Sequence, residues 1–160
     1  MDRAQFINLV NDEQEQLRKF LLALCCGNRD ESDDIAQEAL IKAYLSSSGY
    51  QDNGKFTAWL YKIAYNTFLD HRKSLRTLSS IDTCQQIAGG NCADKTFQYQ
   101  DLYRALDELP SKERTSILLY YIKGYSVKEI SKIVECNEDA VKKQLSRGRE
   151  HLKQKMEHRK

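Results

Sequence analysis

Residues 56–73, FTAWLYKIAYNTFLDHRK, carry more apolar side chains than one face of a helix can use. At 3.6 residues per turn, Phe56, Leu60, Ile63 and Thr67 form one stripe, which is what a core-facing helix needs. Tyr61, Tyr65, Phe68 and Arg72 form a second stripe on roughly the opposite side, and Lys62, Asn66, Asp70 and Lys73 lie along one flank. The second stripe is either a further core surface or a platform for bases. An aromatic stripe at helical spacing is more often core, so Tyr61, Tyr65 and Phe68 are expected to pack against the first two helices, and Trp59 and Leu60 to be buried.

The rest of the chain is equally helical. One proline in 160 residues and no period-two run argue for an all-α fold. Phe6, Leu9, Val10, Leu17, Phe20, Leu21 and Leu24 predict a first helix ended near Gly27-Asn28. A second opens in the acidic cluster Asp30 to Asp34 and runs through IAQEALIKAYLSS. From Thr77 to about Gln98 no helical period is sustained, and Gly89-Gly90 interrupts it. The chain therefore divides into a small helical domain over 1–78, a flexible linker over 79–98 and a second helical domain over 99–160. In that second domain YQDLYRALDEL is helical, Pro110 begins SKERTSILLYYIK and Gly124 stops it. Ser126 with Glu129 is a capping box opening VKEISKIV, ECN is a tight connection, and Asn137 caps a last helix. Val141, Leu145 and Leu152 share one face of that helix while Lys142, Lys143, Arg147 and Arg149 stay exposed. A short helix, a three-residue connection and a longer basic helix make a helix-turn-helix, a pattern that ordinary helical hairpins share.

Charge alternates along the chain. Formal net charge is only +2, yet residues 1–55 carry 6 basic and 10 acidic groups, 56–80 carry 4 and 1, 81–110 carry 2 and 5, and 111–160 carry 13 and 7. Basic stretches suggest a polyanion and acidic ones a protein partner, although a solvated face is the commoner meaning of any single run. Cys25, Cys26, Cys84, Cys92 and Cys136 are odd in number and lack zinc-site spacing, so they read as reduced thiols. No stretch approaches the roughly 18 apolar residues of a membrane span, and the N-terminus lacks a signal peptide's apolar run. A cytoplasmic protein without membrane insertion is expected. His71, His151 and His158 have no carboxylate or cysteine at catalytic or ligand spacing, so neither an enzyme, a metal nor a cofactor is expected.

DDIAQEALIKAY, FTAWLYKIAYNTFLDHRK, ALDELPSKERTSILLYYIKGYSVKEISKIV and AVKKQLSRGREHLKQKM resemble, in that order, the signature segments of the extracytoplasmic-function sigma factors of bacteria, in the sigma-70 superfamily. The match runs from about Glu31 to Met156, broken only by the linker. It implies a sigma two domain, a linker and a sigma four domain that bring core RNA polymerase to promoter DNA, with an anti-sigma factor as a further candidate partner.

The resemblance also assigns residues. Asp34, Gln37, Glu38 and Ile41 match positions that meet the clamp helices of the largest polymerase subunit. Tyr50, Gln51, Asp52, Asn53 and Lys55 match a loop beside a pocket for a flipped minus-ten base, and Asn66 and Asp70 match helix positions that touch bases. Stacking surfaces and amides are what single-strand reading needs. Arg72, Lys73 and Arg76 would hold phosphates. Lys142, Lys143, Gln144 and Arg147 match positions that enter the major groove of the minus-thirty-five element, where Arg and Lys read guanine and Gln adenine; Arg149 suits a phosphate. The acidic linker would thread the polymerase RNA channel. Three features depart from the pattern. Trp59-Leu60 stands where housekeeping sigma factors have two aromatics, implying weaker intrinsic melting. Glu135 replaces the usual turn glycine, and Glu138 and Asp139 put negative charge at the recognition helix N-terminus. A polymerase-independent helix-turn-helix regulator is the rival reading, and it leaves residues 56–73 unexplained.

Overall fold

The structure, a computed structural model, describes residues 2–50, 54–79 and 100–157. Among them are seven α-helices, one 3₁₀ turn over Ser47–Gly49 and no strand. The helices are α1 (Arg3–Leu24), α2 (Arg29–Ser46), α3 (Phe56–Ser79), α4 (Gln100–Asp107), α5 (Ser111–Ile122), α6 (Val127–Val134) and α7 (Glu138–Glu157). The all-α expectation holds. The expected linker, with Cys84 and Cys92, lies outside the described residues apart from Ser79, the last residue of α3.

Local chemistry sets most boundaries. Asp2 and Gln5 form a capping box on α1, and Asn28 caps α2 by accepting from the Glu31 amide at 3.1 Å. Between these helices Cys26 and Gly27 both take positive φ, 57° and 88°, which turns the chain within four residues. A Cβ on Gly27 would stand 2.9 Å from the Tyr103 ring, so glycine also admits α4 there. The Ser126–Glu129 capping box is formed, Asn137 Oδ1 accepts from the Ala140 amide at 2.7 Å, and Gly124 takes φ 71° after α5.

In the first half α1 buries Leu17, Phe20, Leu21 and Leu24 against α2 and α3. On α2 the covered face is small, Ala36, Ala39 and Ala43 beside Ile35, which lets its neighbours approach closely. In the second half α5 crosses α7 at Gly148, where a Cβ would lie 2.2 Å from Ile117 Cδ1. That glycine is a contact point, and periodicity alone did not single it out.

The two halves share one continuous core. Arg114 on α5 is buried, and its guanidinium donates to the carbonyls of Leu106 at 2.9 Å, Leu109 at 3.0 Å and Leu24 at 2.8 Å. The carbonyls of Leu106 and Leu24 lie in the last turns of α4 and α1, groups a helix C-terminus leaves without helical partners, and that of Leu109 lies in the connection after α4. A second polar cluster joins α1 and α3 to the segment after α5. Lys123 Nζ pairs with the Glu13 carboxylate and donates to Gln16 Oε1 at 2.7 Å. Tyr61 Oη donates to Glu13 Oε2 at 3.0 Å, and the Lys123 ammonium lies 5.3 Å from the Tyr61 ring centre. Tyr125 Oη bonds Thr57 Oγ1 at 2.9 Å, and its ring meets Tyr61 edge to face at 6.1 Å. Burial, then the Glu13 charge, push the Tyr61 phenol far above its ordinary value, so it stays a donor.

The surplus stripe of α3 is thereby accounted for. Tyr61 packs on Phe20 of α1 at 5.2 Å and on Tyr125, while Tyr65 is buried beside Cys136 and Glu135. The first two helices were expected to cover it; in fact the second half covers part of it.

Candidate nucleic-acid and protein interfaces

Three surfaces hold most of the described residues among those expected to be functional. On α2, Asp34, Gln37, Glu38 and Ile41 are all exposed along one side. With Tyr44 and Leu45, Ile41 forms an apolar patch next to carboxylates, the three being 45%, 72% and 60% exposed. Tyr44 and Leu45 were not expected; their helical spacing from Ile41 was the available signal. Lys42 Nζ stands 3.1 Å from Glu38 Oε2 and 3.7 Å from Asp70 Oδ2, tying this face to the flank of α3.

That flank is the second surface. Asp70 and Lys73 are exposed and Asn66 is half-buried. Asn66 lines a shallow groove between α2 and α3 of about 370 Å³ with Lys42, Leu45, Ser46, Ile63 and Thr67. At the near end of α3, Lys55 is exposed, and the Tyr50 ring lies on Trp59 at 4.6 Å and meets Phe56 at 6.0 Å. Trp59 is only partly buried, so one edge of this aromatic cluster stays open. Gln51, Asp52, Asn53 and the side chain of Arg76 lie outside the described residues.

Arg72 is placed differently from the expectation. Its Nη2 donates to Glu31 Oε1 at 3.1 Å, its Nε stands 2.9 Å from Glu31 Oε2, and it lies 5.1 Å from the Phe68 ring centre. Glu31 is buried in the first turn of α2 and needs a cation there. The guanidinium thus clamps α2 to α3, a contact the reading of Arg72 as a phosphate ligand did not anticipate. Beside it, burial pushes the Cys25 thiol upward and the Cys26 thiol up to about 12, so both stay protonated. Cys25, Cys26 and Cys136 are free thiols, in keeping with the reduced state expected of them.

The third surface is the helix-turn-helix. Glu135 takes φ 57° and ψ 46°, the left-handed conformation glycine would adopt more cheaply. The turn keeps its geometry: the Cys136 amide donates to Ser131 O at 3.1 Å, and Lys62 of α3 pairs with Glu135 at 3.7 Å. Beyond it Lys142, Lys143 and Arg147 are exposed on α7. Gln144 points inward instead, accepting from the buried Ser116 hydroxyl at 2.6 Å and donating to Cys136 Sγ at 3.8 Å. Arg149 is exposed but tethered, its Nε donating to Tyr121 Oη at 2.8 Å and its guanidinium 5.2 Å and 5.6 Å from the Tyr120 and Tyr121 ring centres. His151 pairs through Nδ1 with the buried Glu113 at 2.9 Å.

Among the described residues no helix is long and apolar enough to cross a membrane. The Sigma-70 region 2 family model matches residues 9–77, and the Sigma-70, region 4 model matches residues 99–152. The chain is similar to the ECF RNA polymerase sigma factor SigW of Bacillus subtilis, 29% identical over 97% of this chain and 90% of that protein. It is 32% identical to the ECF RNA polymerase sigma factor SigM of the same organism, over 84% of this chain and 85% of that one. Its fold also overlays the sigma factor RpoE from a co-crystal with the anti-sigma factor NepR of Bartonella quintana, with a TM-score of 0.82 and 25% identity over 96% of this chain and 97% of that one.

Proposed function

The chain belongs to the extracytoplasmic-function (ECF) RNA polymerase sigma factors, and from that premise we propose a division of labour between its two halves. It is an alternative sigma factor that directs transcription initiation, a specificity subunit with no chemistry of its own. Residues 1–78 dock on core polymerase through Asp34, Gln37, Glu38 and Ile41, extended by the exposed Tyr44 and Leu45. The same domain reads the minus-ten element through Asn66, Asp70, Lys73 and the Tyr50–Lys55 loop. Residues 99–160 read the minus-thirty-five element through Lys142, Lys143 and Arg147, with Arg149 on phosphate. Acting on chromosomal promoters, the protein works in the cytoplasm.

The observation that carries this reading is the exposure of Lys142, Lys143 and Arg147 together on the second helix of a capped helix-turn-helix, in the same chain as an acidic and apolar docking face. Cationic side chains projecting from such a helix suit guanine edges and phosphates in a major groove.

Distance then requires motion. The two promoter elements are about 25 base pairs apart, roughly 85 Å at 3.4 Å per pair. A compact chain of this length has a radius of gyration of only about 15 Å. With Lys62 of α3 3.7 Å from Glu135 of the turn, the reading surfaces lie far too close to engage both elements at once. The halves therefore separate on polymerase, and the 79–98 linker, extended, spans up to roughly 70 Å. The closed form suits an anti-sigma partner that holds the halves together. Run-off transcription with core polymerase on a randomised promoter library tests the reading. Sequence-selective transcripts that vanish with Glu38→Lys are expected; tight duplex binding without polymerase and no transcripts with it would refute it.

A further inference from the structure

Gln144 stands in the recognition helix where an adenine reader would sit, yet both ends of its amide are engaged inside the protein. Its Oε1 accepts from Ser116 Oγ on α5 at 2.6 Å, and its Nε2 donates to Cys136 Sγ in the turn at 3.8 Å. Ser116 is fully buried and its hydroxyl donates to this amide. Reading adenine takes both ends of a glutamine amide in a bidentate pair. Swinging Gln144 into a groove would leave the Ser116 hydroxyl buried without a partner, which costs more than an ordinary hydrogen bond gains.

We propose that Gln144 is a positioning residue that sets the rotation of α7 against α5 and the turn, and that it does not itself read a base. The inference rests on the assignment of α7 to the minus-thirty-five element. Three elements meet at this amide: α5 through Ser116, the left-handed turn through Cys136, and α7 itself. The turn residue Glu135 pays a conformational cost, and the contact to Cys136 is one of the bonds that keeps its neighbour in place. Lys143 is the adjacent residue, and Arg147 is one turn further on. Their entry into the groove depends on the rotation that Gln144 fixes. Base reading from α7 then falls to Lys142, Lys143 and Arg147, whose chemistry favours guanine O6 and N7 over adenine.

The test uses the full chain with core polymerase and two promoter sets, one randomised over the minus-thirty-five element and one lacking it. The readout is the ratio of transcription between the sets, since a generally unstable variant lowers both alike. Gln144→Met keeps length and removes both hydrogen bonds; Ser116→Ala removes the other end of one of them. Each is expected to lower the ratio about three- to tenfold, the worth of a lost internal hydrogen bond. The double variant should be no worse than the weaker single, and the order of preferred bases should be unchanged. Reordered preference at one position with Gln144→Met, together with no effect of Ser116→Ala, would establish a base reader and overturn the proposal; so would parental ratios for both. Arg147→Ala serves as the control: if it leaves use of the minus-thirty-five element unchanged, it is the groove assignment of α7 that fails.

Discussion

Replacing Lys123 by methionine should open the molecule. In the closed form the Lys123 and Glu13 side chains are each only 11% exposed, and Glu13 also accepts from Tyr61 Oη at 3.0 Å. Methionine keeps an unbranched side chain of similar length but leaves the carboxylate enclosed with one neutral donor. Removing one partner of a buried ion pair costs about 3–5 kcal/mol, and the surviving Tyr61 bond places this case near about 3 kcal/mol. Glu13 regains water as soon as the halves part, so the cost falls on the closed form alone. That equals roughly a 100-fold shift in the ratio of closed to open molecules. Small-angle scattering of the free protein reads it directly: a radius of gyration near about 15 Å for the parent should rise in the variant while helicity by circular dichroism is retained. Affinity for core polymerase should rise with the open fraction. The exchanged pair Glu13→Lys with Lys123→Glu should restore closure that either single change loses. An unchanged radius and polymerase affinity for Lys123→Met, or a swapped pair as open as the singles, would refute the reasoning.

Other expectations follow from single contacts. Gly148→Ala brings a methyl to 2.2 Å from Ile117 Cδ1; overpacking of about 1–3 kcal/mol outweighs the helix-propensity gain of about 1 kcal/mol, so the melting temperature should fall. Asn66→Ala should slow promoter opening, read by permanganate reactivity, by about tenfold or more while leaving closed-complex binding intact; normal opening would remove Asn66 from the base-reading set. An unfolded cysteine ionises near pH 8.5, whereas burial pushes the folded Cys26 thiol up to about 12. The unfolded chain thus loses its proton first, so the thiol's contribution to stability is full below pH 8.5 and declines as pH rises toward 12. Denaturant titrations of Cys26→Ser against the parent across that window should show a weaker pH dependence in the variant.

The sequence announced contacts that close within a helical turn and hid those that close across the molecule. Ser126 with Glu129 and Asn137 with Ala140 are legible because capping is a matter of three residues, and Pro110 because its fixed φ suits the start of a helix. The exposed face of α2 was legible because its carboxylates interleave with buried alanines at helical spacing. Arg72, by contrast, falls on a basic stretch like any phosphate ligand, and only the approach of Glu31, 41 residues away, commits it to structure. Gln144 is claimed by Ser116, 28 residues away, and Lys123 by Glu13 across 110 residues. Periodicity says which side of a helix is apolar and nothing about which neighbour covers it. The second stripe of α3 shows why this matters for function. Tyr61 and Tyr65 are covered partly by α1 and partly by the second half, through Tyr125 and the turn. On the proposed reading of two promoter elements that second cover has to leave, which would make this part of the stripe a reversible interface. A Glu13–Lys123 pair beside Thr57 and Tyr125 suits such an interface, because water can satisfy these polar groups once the halves part.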